Sequence, residues 1–70
     1  GAQRKAMIYD FKTNARREGE TQSAYEDRLR ESYMPQMAAY RRAVHVLAGI
    51  PPERISAHLL LTRTRSVVGV

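Results

Sequence analysis

Seventy residues make one small domain, of a size that buries roughly 60% of the surface its unfolded chain exposes. The absence of cysteine excludes disulfides and thiolate metal sites, and no apolar run approaches the roughly 20 residues of a membrane-spanning helix. Lysine and arginine outnumber aspartate and glutamate by 12 to 7, a net charge of +5 at pH 7 that favours a polyanionic partner.

In chain order, Lys5 to Phe11 reads as a strand, because Met7-Ile8-Tyr9-Asp10-Phe11 is a β-branched and aromatic run closed by Thr13-Asn14. On a strand, alternate side chains share a face, which puts Asp10 and Lys12 together and turns Met7, Tyr9 and Phe11 the other way. A carboxylate beside an ammonium is the combination that holds a divalent metal and orients a water for phosphodiester hydrolysis. The same pair also fits a plain surface ion pair. A polar stretch from Ala15 to Glu20, containing Gly19, follows as a loop.

Thr21 or Ser23 caps a first helix that runs to about Ser32. Pro35 suits the first turn of a second helix, where its missing N–H costs nothing, and Gly49 followed by Pro51-Pro52 stops that helix after Ala48. At roughly 100° per residue, Gln36, Tyr40, Ala43 and Leu47 form one stripe, expected to be buried with Met37 and Val44 at its flanks. Arg41, Arg42 and His45 then point away. Taken alone, Tyr40 is also compatible with an ordinary core position and Gln36 with a solvated helix start. Ile55 to Leu61 is an apolar strand, Thr62 to Arg65 a turn, and Ser66 to Val70 a short closing strand. Strand, helix, strand implies a βαβ unit with a right-handed crossover followed by a hairpin, an α/β fold with a small mixed sheet.

Asp-x-Lys on a strand, a Gln-x-x-x-Tyr helix and a terminal hairpin, in that order, resemble the RecB-type branch of the PD-(D/E)XK nucleases. The residues that carry the likeness are Ile8-Tyr9-Asp10-Phe11-Lys12-Thr13-Asn14, Pro35-Gln36, Tyr40-Arg41-Arg42-Ala43 and Leu60-Leu61-Thr62-Arg63-Thr64, and it spans about Lys5 to Val70. The chain is most similar to the C-terminal part of the nuclease domain that ends UvrD/Rep-like helicases of the RecB and AddA kind. That resemblance implies a partial restriction-endonuclease-like fold and, in an intact parent, hydrolysis of DNA phosphodiesters coupled to an ATP-driven helicase. It implies Mg2+ or Mn2+ at Asp10 and the Phe11 carbonyl, Lys12 positioning the attacking water, and Gln36 and Tyr40 shaping the site around the DNA strand. The partners it implies are DNA, the rest of the helicase-nuclease and a partner subunit, in the cytoplasm and without a membrane.

One departure stands out. The family carries a further metal-binding aspartate on a preceding hairpin strand, and only nine residues precede Asp10 here. Together with the missing initiator Met, this marks the 70 residues as a fragment, expected to be inactive alone. The strand of Asp10 belongs mid-sheet; left without its neighbour it exposes an edge and invites dimerisation. Of the seven acidic residues, only Asp10 lies in a strand-like run, and nothing in the sequence fixes Glu18 or Glu20 near it. His45 reads as a solvated helix residue and His58 as structural, without the spacing of a zinc site. Tyr25 and Tyr33 read as packing or surface residues. The other reading of the chain is a non-catalytic basic α/β module that binds nucleic acid or a protein.

Overall fold

The computed structural model describes residues 4–70 and places one long helix against a three-stranded mixed sheet. Strand β1 (Ala6–Lys12) pairs in parallel with β2 (Ile55–Leu61), and β2 pairs antiparallel with β3 (Ser66–Gly69), giving the order β1-β2-β3. Helix α1 (Gln22–Ala48) connects the two parallel strands, with a 3-10 turn at Pro52–Arg54 before β2. The expected βαβ unit and hairpin are therefore present. β1 lies at an edge, with β2 in the centre. Among the described residues, no helix is long and apolar enough to cross a membrane.

Local chemistry sets the ends of α1. Thr21 is extended and its hydroxyl accepts the Ala24 N–H at 3.0 Å, which satisfies one of the open donors of the first turn. Gly49 ends the helix at φ 68°, in the left-handed region that glycine enters without a Cβ clash, and gives its N–H to the His45 carbonyl.

Between these ends the structure departs from the sequence expectation. The two helices separated near Pro35 are one helix of 27 residues that runs through the proline. An interior proline costs about 3 kcal/mol because it has no N–H for the carbonyl four residues back, here that of Glu31. Tyr25, Leu29 and Met37, on both sides of it, are fully buried in one core. At roughly 1.5–3 kcal/mol per buried apolar side chain, holding that row in register outweighs the lost hydrogen bond.

The core lies between α1 and the inward face of the sheet. Ile55, Ala57, Leu59 and Leu61 of β2 supply its floor, joined by Val68 of β3 and flanked by Ile8, Tyr33 and Val70. The helix residues that cover it form a row four apart: Tyr25, Leu29, Tyr33, Met37, Arg41. Each step of four turns about 40° around the helix, so a straight contact along this row requires the helix to cross the sheet obliquely.

That obliqueness corrects the expected burial. Gln36, Tyr40, Ala43 and Leu47 are exposed, Leu47 to 86%, and the half-buried Arg41 takes the place over the sheet. Arg41 Nε donates to the Ile55 carbonyl at 3.2 Å, and its terminal nitrogen donates to the Val70 carbonyl. Leu29 to Leu47 and Tyr25 to Ala43 are both 18 residues, five full turns. The face that is core at the start of α1 therefore returns at its end with no strand beneath it among the described residues.

Candidate functional site: the Asp10–Lys12 edge

β1 turns Asp10 and Lys12 towards α1, and Met7, Tyr9 and Phe11 outward, as strand alternation requires. Lys12 Nζ stands 3.0 Å from Asp10 Oδ2, with both side chains mostly shielded (16% and 23% exposed). It also donates to Gln36 Oε1 at 3.3 Å, and Gln36 Nε2 donates to the Tyr40 hydroxyl at 2.9 Å. Asp10, Lys12, Gln36 and Tyr40 thus form one unbroken line from the strand up the flank of the helix. Tyr40 retains 40% exposure at its open end. Gln36 and Tyr40 sit beside the core, above the free edge of β1.

Asp10 Oδ2 is itself buried and takes no aligned hydrogen bond, so its link to Lys12 is an ion contact with lone-pair capacity to spare. The Thr62 N–H and hydroxyl both donate to the Lys12 carbonyl. Backbone groups of successive strand residues point to opposite edges, so the Phe11 carbonyl turns to the open side of β1. Two oxygen donors, the Asp10 carboxylate and the Phe11 carbonyl, suit a hard cation such as Mg2+.

They are part of a metal site and not a whole one. Among the described residues, no group of three or more His, Cys, Asp or Glu side chains is placed to hold a metal ion. Mg2+ demands near-octahedral geometry and takes one or two carboxylates together with phosphate oxygens and waters, so Asp10 leaves most of that shell to other groups.

Glu20 is fixed, but elsewhere. Arg28 donates to it from Nε at 2.8 Å and from a terminal nitrogen at 2.9 Å, and the Arg17 N–H adds a third bond at 2.9 Å. The Arg28 guanidinium, with that N–H second, holds the Glu20 carboxyl at about 2 against an ordinary 4.5, while Glu20 raises the pKa of Arg28 in return. Glu20 closes the loop onto α1. The spacing of eight residues between Glu20 and Arg28 was the available sequence signal, and it is not a helical one.

Tyr25 and Tyr33 pack as expected, and with Asn14 they make contacts that the sequence does not prescribe. Tyr25, buried in the core, donates its hydroxyl to the Asn14 carbonyl at 2.6 Å. Tyr33 donates to Asn14 Oδ1 at 3.1 Å, and its ring lies 4.1 Å beneath Lys12 Nζ. Asn14 ties the exit of β1 to both tyrosines. His45 is exposed as expected, although its Nδ1 meets the Ile50 carbonyl at 2.8 Å. His58 lies on the outer sheet face, stacked on Tyr9 with ring centroids 5.0 Å apart.

Because β1 and β2 are parallel, the loop after β1 and the β2–β3 turn emerge at the same end of the sheet as Lys12. Exposed Arg16 and Arg17 stand on the first, and Arg63 and Arg65 on the second. Arg63 Nε donates to the Thr13 carbonyl at 3.1 Å and ties the two segments together. Compared with known proteins, this chain matches no family model, no curated protein and no solved structure.

Proposed function

We propose that this chain is the Asp-x-Lys half of a metal-dependent DNA phosphodiesterase centre, with the partial PD-(D/E)XK fold of the RecB and AddA nuclease domains. The observation that carries the reading is the contact line Asp10, Lys12, Gln36, Tyr40 at the free edge of β1. A carboxylate, an ammonium, an amide and a hydroxyl follow one another there, each in contact with the next. A surface ion pair would need neither Gln36 nor Tyr40.

In this reading Asp10 and the Phe11 carbonyl supply part of a divalent cation's shell. A second carboxylate would have to come from a further strand paired with the open edge of β1. A cation bound there would supply Lewis-acid stabilisation of the phosphate. The ammonium of Lys12 is a preorganised positive charge beside the developing phosphorane, and Asp10 keeps it on the phosphate side of the strand. Gln36 holds Lys12 from above and orients the Tyr40 hydroxyl towards the solvent side, where a nucleotide would lie. Arg16, Arg17, Arg63 and Arg65 line the approach, and their phosphate contacts carry no sequence preference. The companion helicase and its ATP belong to the rest of the proposed parent.

Titration of isotopically labelled protein with Mn2+ tests this directly. Paramagnetic broadening should begin at Asp10 and Phe11 and vanish in Asp10→Asn. Broadening that begins elsewhere, or that survives Asp10→Asn, overturns the metal assignment. With one carboxylate in place, the 70-residue protein should not cut linear DNA in Mg2+. Robust cleavage abolished by Asp10→Ala would refute the half-site.

A further inference from the structure

The ammonium of Lys12 has a support that the contact line to Tyr40 does not include. Its side chain carries four rotatable bonds, and a lysine on an edge strand beside solvent is ordinarily free to sample many of them. Here Nζ is gripped from three directions. Asp10 Oδ2 lies at 3.0 Å on its own strand, Gln36 Oε1 at 3.3 Å on α1, and the centre of the Tyr33 ring at 4.1 Å one helical turn before Gln36. The carboxylate and the amide fix where the ammonium goes along the strand. The face of an aromatic ring, negative at its centre, fixes how deep it sits.

The ring has no freedom to move away. Its hydroxyl donates to Asn14 Oδ1 at 3.1 Å, and Asn14 is itself tied down because the buried Tyr25 donates to its carbonyl at 2.6 Å. Tyr25 and Tyr33 are eight residues apart on α1, and Asn14 is two residues after Lys12. The lysine, the residue that latches the ring and the ring itself therefore belong to one closed loop of contacts between β1 and α1. The bland role for Tyr33, a half-buried flank of the core, explains its burial. It does not explain why the ring lies under the ammonium.

We infer that Tyr33 is a positioning residue: its ring, latched by Asn14, is the seat on which the Lys12 ammonium is held at a fixed height above the helix. The use made of that ammonium rests on the phosphodiester reading above, whereas the seat does not. Tyr33 touches no reacting atom. Its effect passes through Lys12.

Proton NMR of the 70-residue protein reads the seat without any activity. Methylene protons next to an ammonium over a ring face are shifted upfield by the ring current, and Lys5, the only other lysine, is an internal reference. The Lys12 ε-methylene signals should lie upfield of those of Lys5. They should lose that displacement in Tyr33→Leu, and keep the larger part of it in Tyr33→Phe, which retains the ring and gives up the latch. Asn14→Ala should resemble Tyr33→Phe. Methyl signals of Leu59 and Val68 report whether each variant is folded. Lys12 signals in the unsubstituted protein that coincide with those of Lys5 overturn the inference, and this arm needs no variant to fold. Displacement that persists in folded Tyr33→Leu overturns it too. A failed Mn2+ titration with the upfield shift intact would remove the nuclease reading and leave the seat standing.

Discussion

Replacing Pro35 by alanine should make the protein more stable, and the size of the gain follows from where the proline sits. It lies inside α1 on the exposed side, so no packing is lost with its ring. Alanine restores an N–H to the Glu31 carbonyl and removes the helix-interior penalty of about 3 kcal/mol. Against this, proline restricts the unfolded chain, a benefit of about 0.4–1 kcal/mol that the alanine variant forfeits. The net gain is about 2 kcal/mol. For a domain of this size, in which 1 kcal/mol moves Tm by about 4–8 °C, that amounts to about 8–16 °C. Thermal unfolding followed by far-ultraviolet circular dichroism at 222 nm, a wavelength sensitive to helix content, measures it, with urea titration as a second probe. An unchanged or lower Tm would refute the continuous helix. At the first turn of a separate second helix the proline costs nothing, and alanine would gain nothing there.

The Glu20–Arg28 pair makes stability depend on acid. Because the folded-state pKa of Glu20 is lowered, its contribution is complete above the ordinary 4.5 and is lost as pH falls from there towards about 2. Tm of Glu20→Gln should therefore lie below that of the unsubstituted protein at neutral pH, with the gap closing through that window; a gap independent of pH would count against the pair. In a polypeptide that carries the completing strand, Tyr40→Phe should lower DNA cleavage tenfold or more, about 1.4 kcal/mol, with Tm nearly unchanged because phenylalanine keeps the ring and its packing. Silence in the cleavage assay would reduce Tyr40 to a surface residue. The free edge of β1, with Met7, Tyr9 and Phe11 exposed beside it, should promote concentration-dependent self-association in sedimentation velocity. Phe11→Lys, at a position 70% exposed, should suppress it, and association that survives must use another surface.

Much of this architecture was legible residue by residue. The limits of β2 at Ile55 and Leu61, the Thr21 cap, the Gly49 stop and the shared face of Asp10 and Lys12 all follow from rules that act over a few residues. Strand alternation, open helix donors and glycine's tolerance of positive φ need no knowledge of distant chain. The contacts of Gln36 with Lys12 and Tyr40 were half legible: helical spacing pairs Gln36 with Tyr40, but not with a strand 24 residues away.

Tertiary structure decided what local rules leave open. Pro35 reads as a helix start until the burial of Tyr25, Leu29 and Met37 in one core is set against it. The stripe through Leu47 looks like the buried one until the angle of α1 across the sheet is known, and that angle puts Arg41 over the core's end instead. Glu20 finds Arg28, and Tyr33 finds both Lys12 and Asn14, through the folding of a loop whose sequence prescribes no partner. Periodicity names the faces an element can present. Which face is used depends on how wide the sheet is and how the helix lies on it, and among the described residues a three-stranded sheet leaves the end of the helix without a strand beneath it.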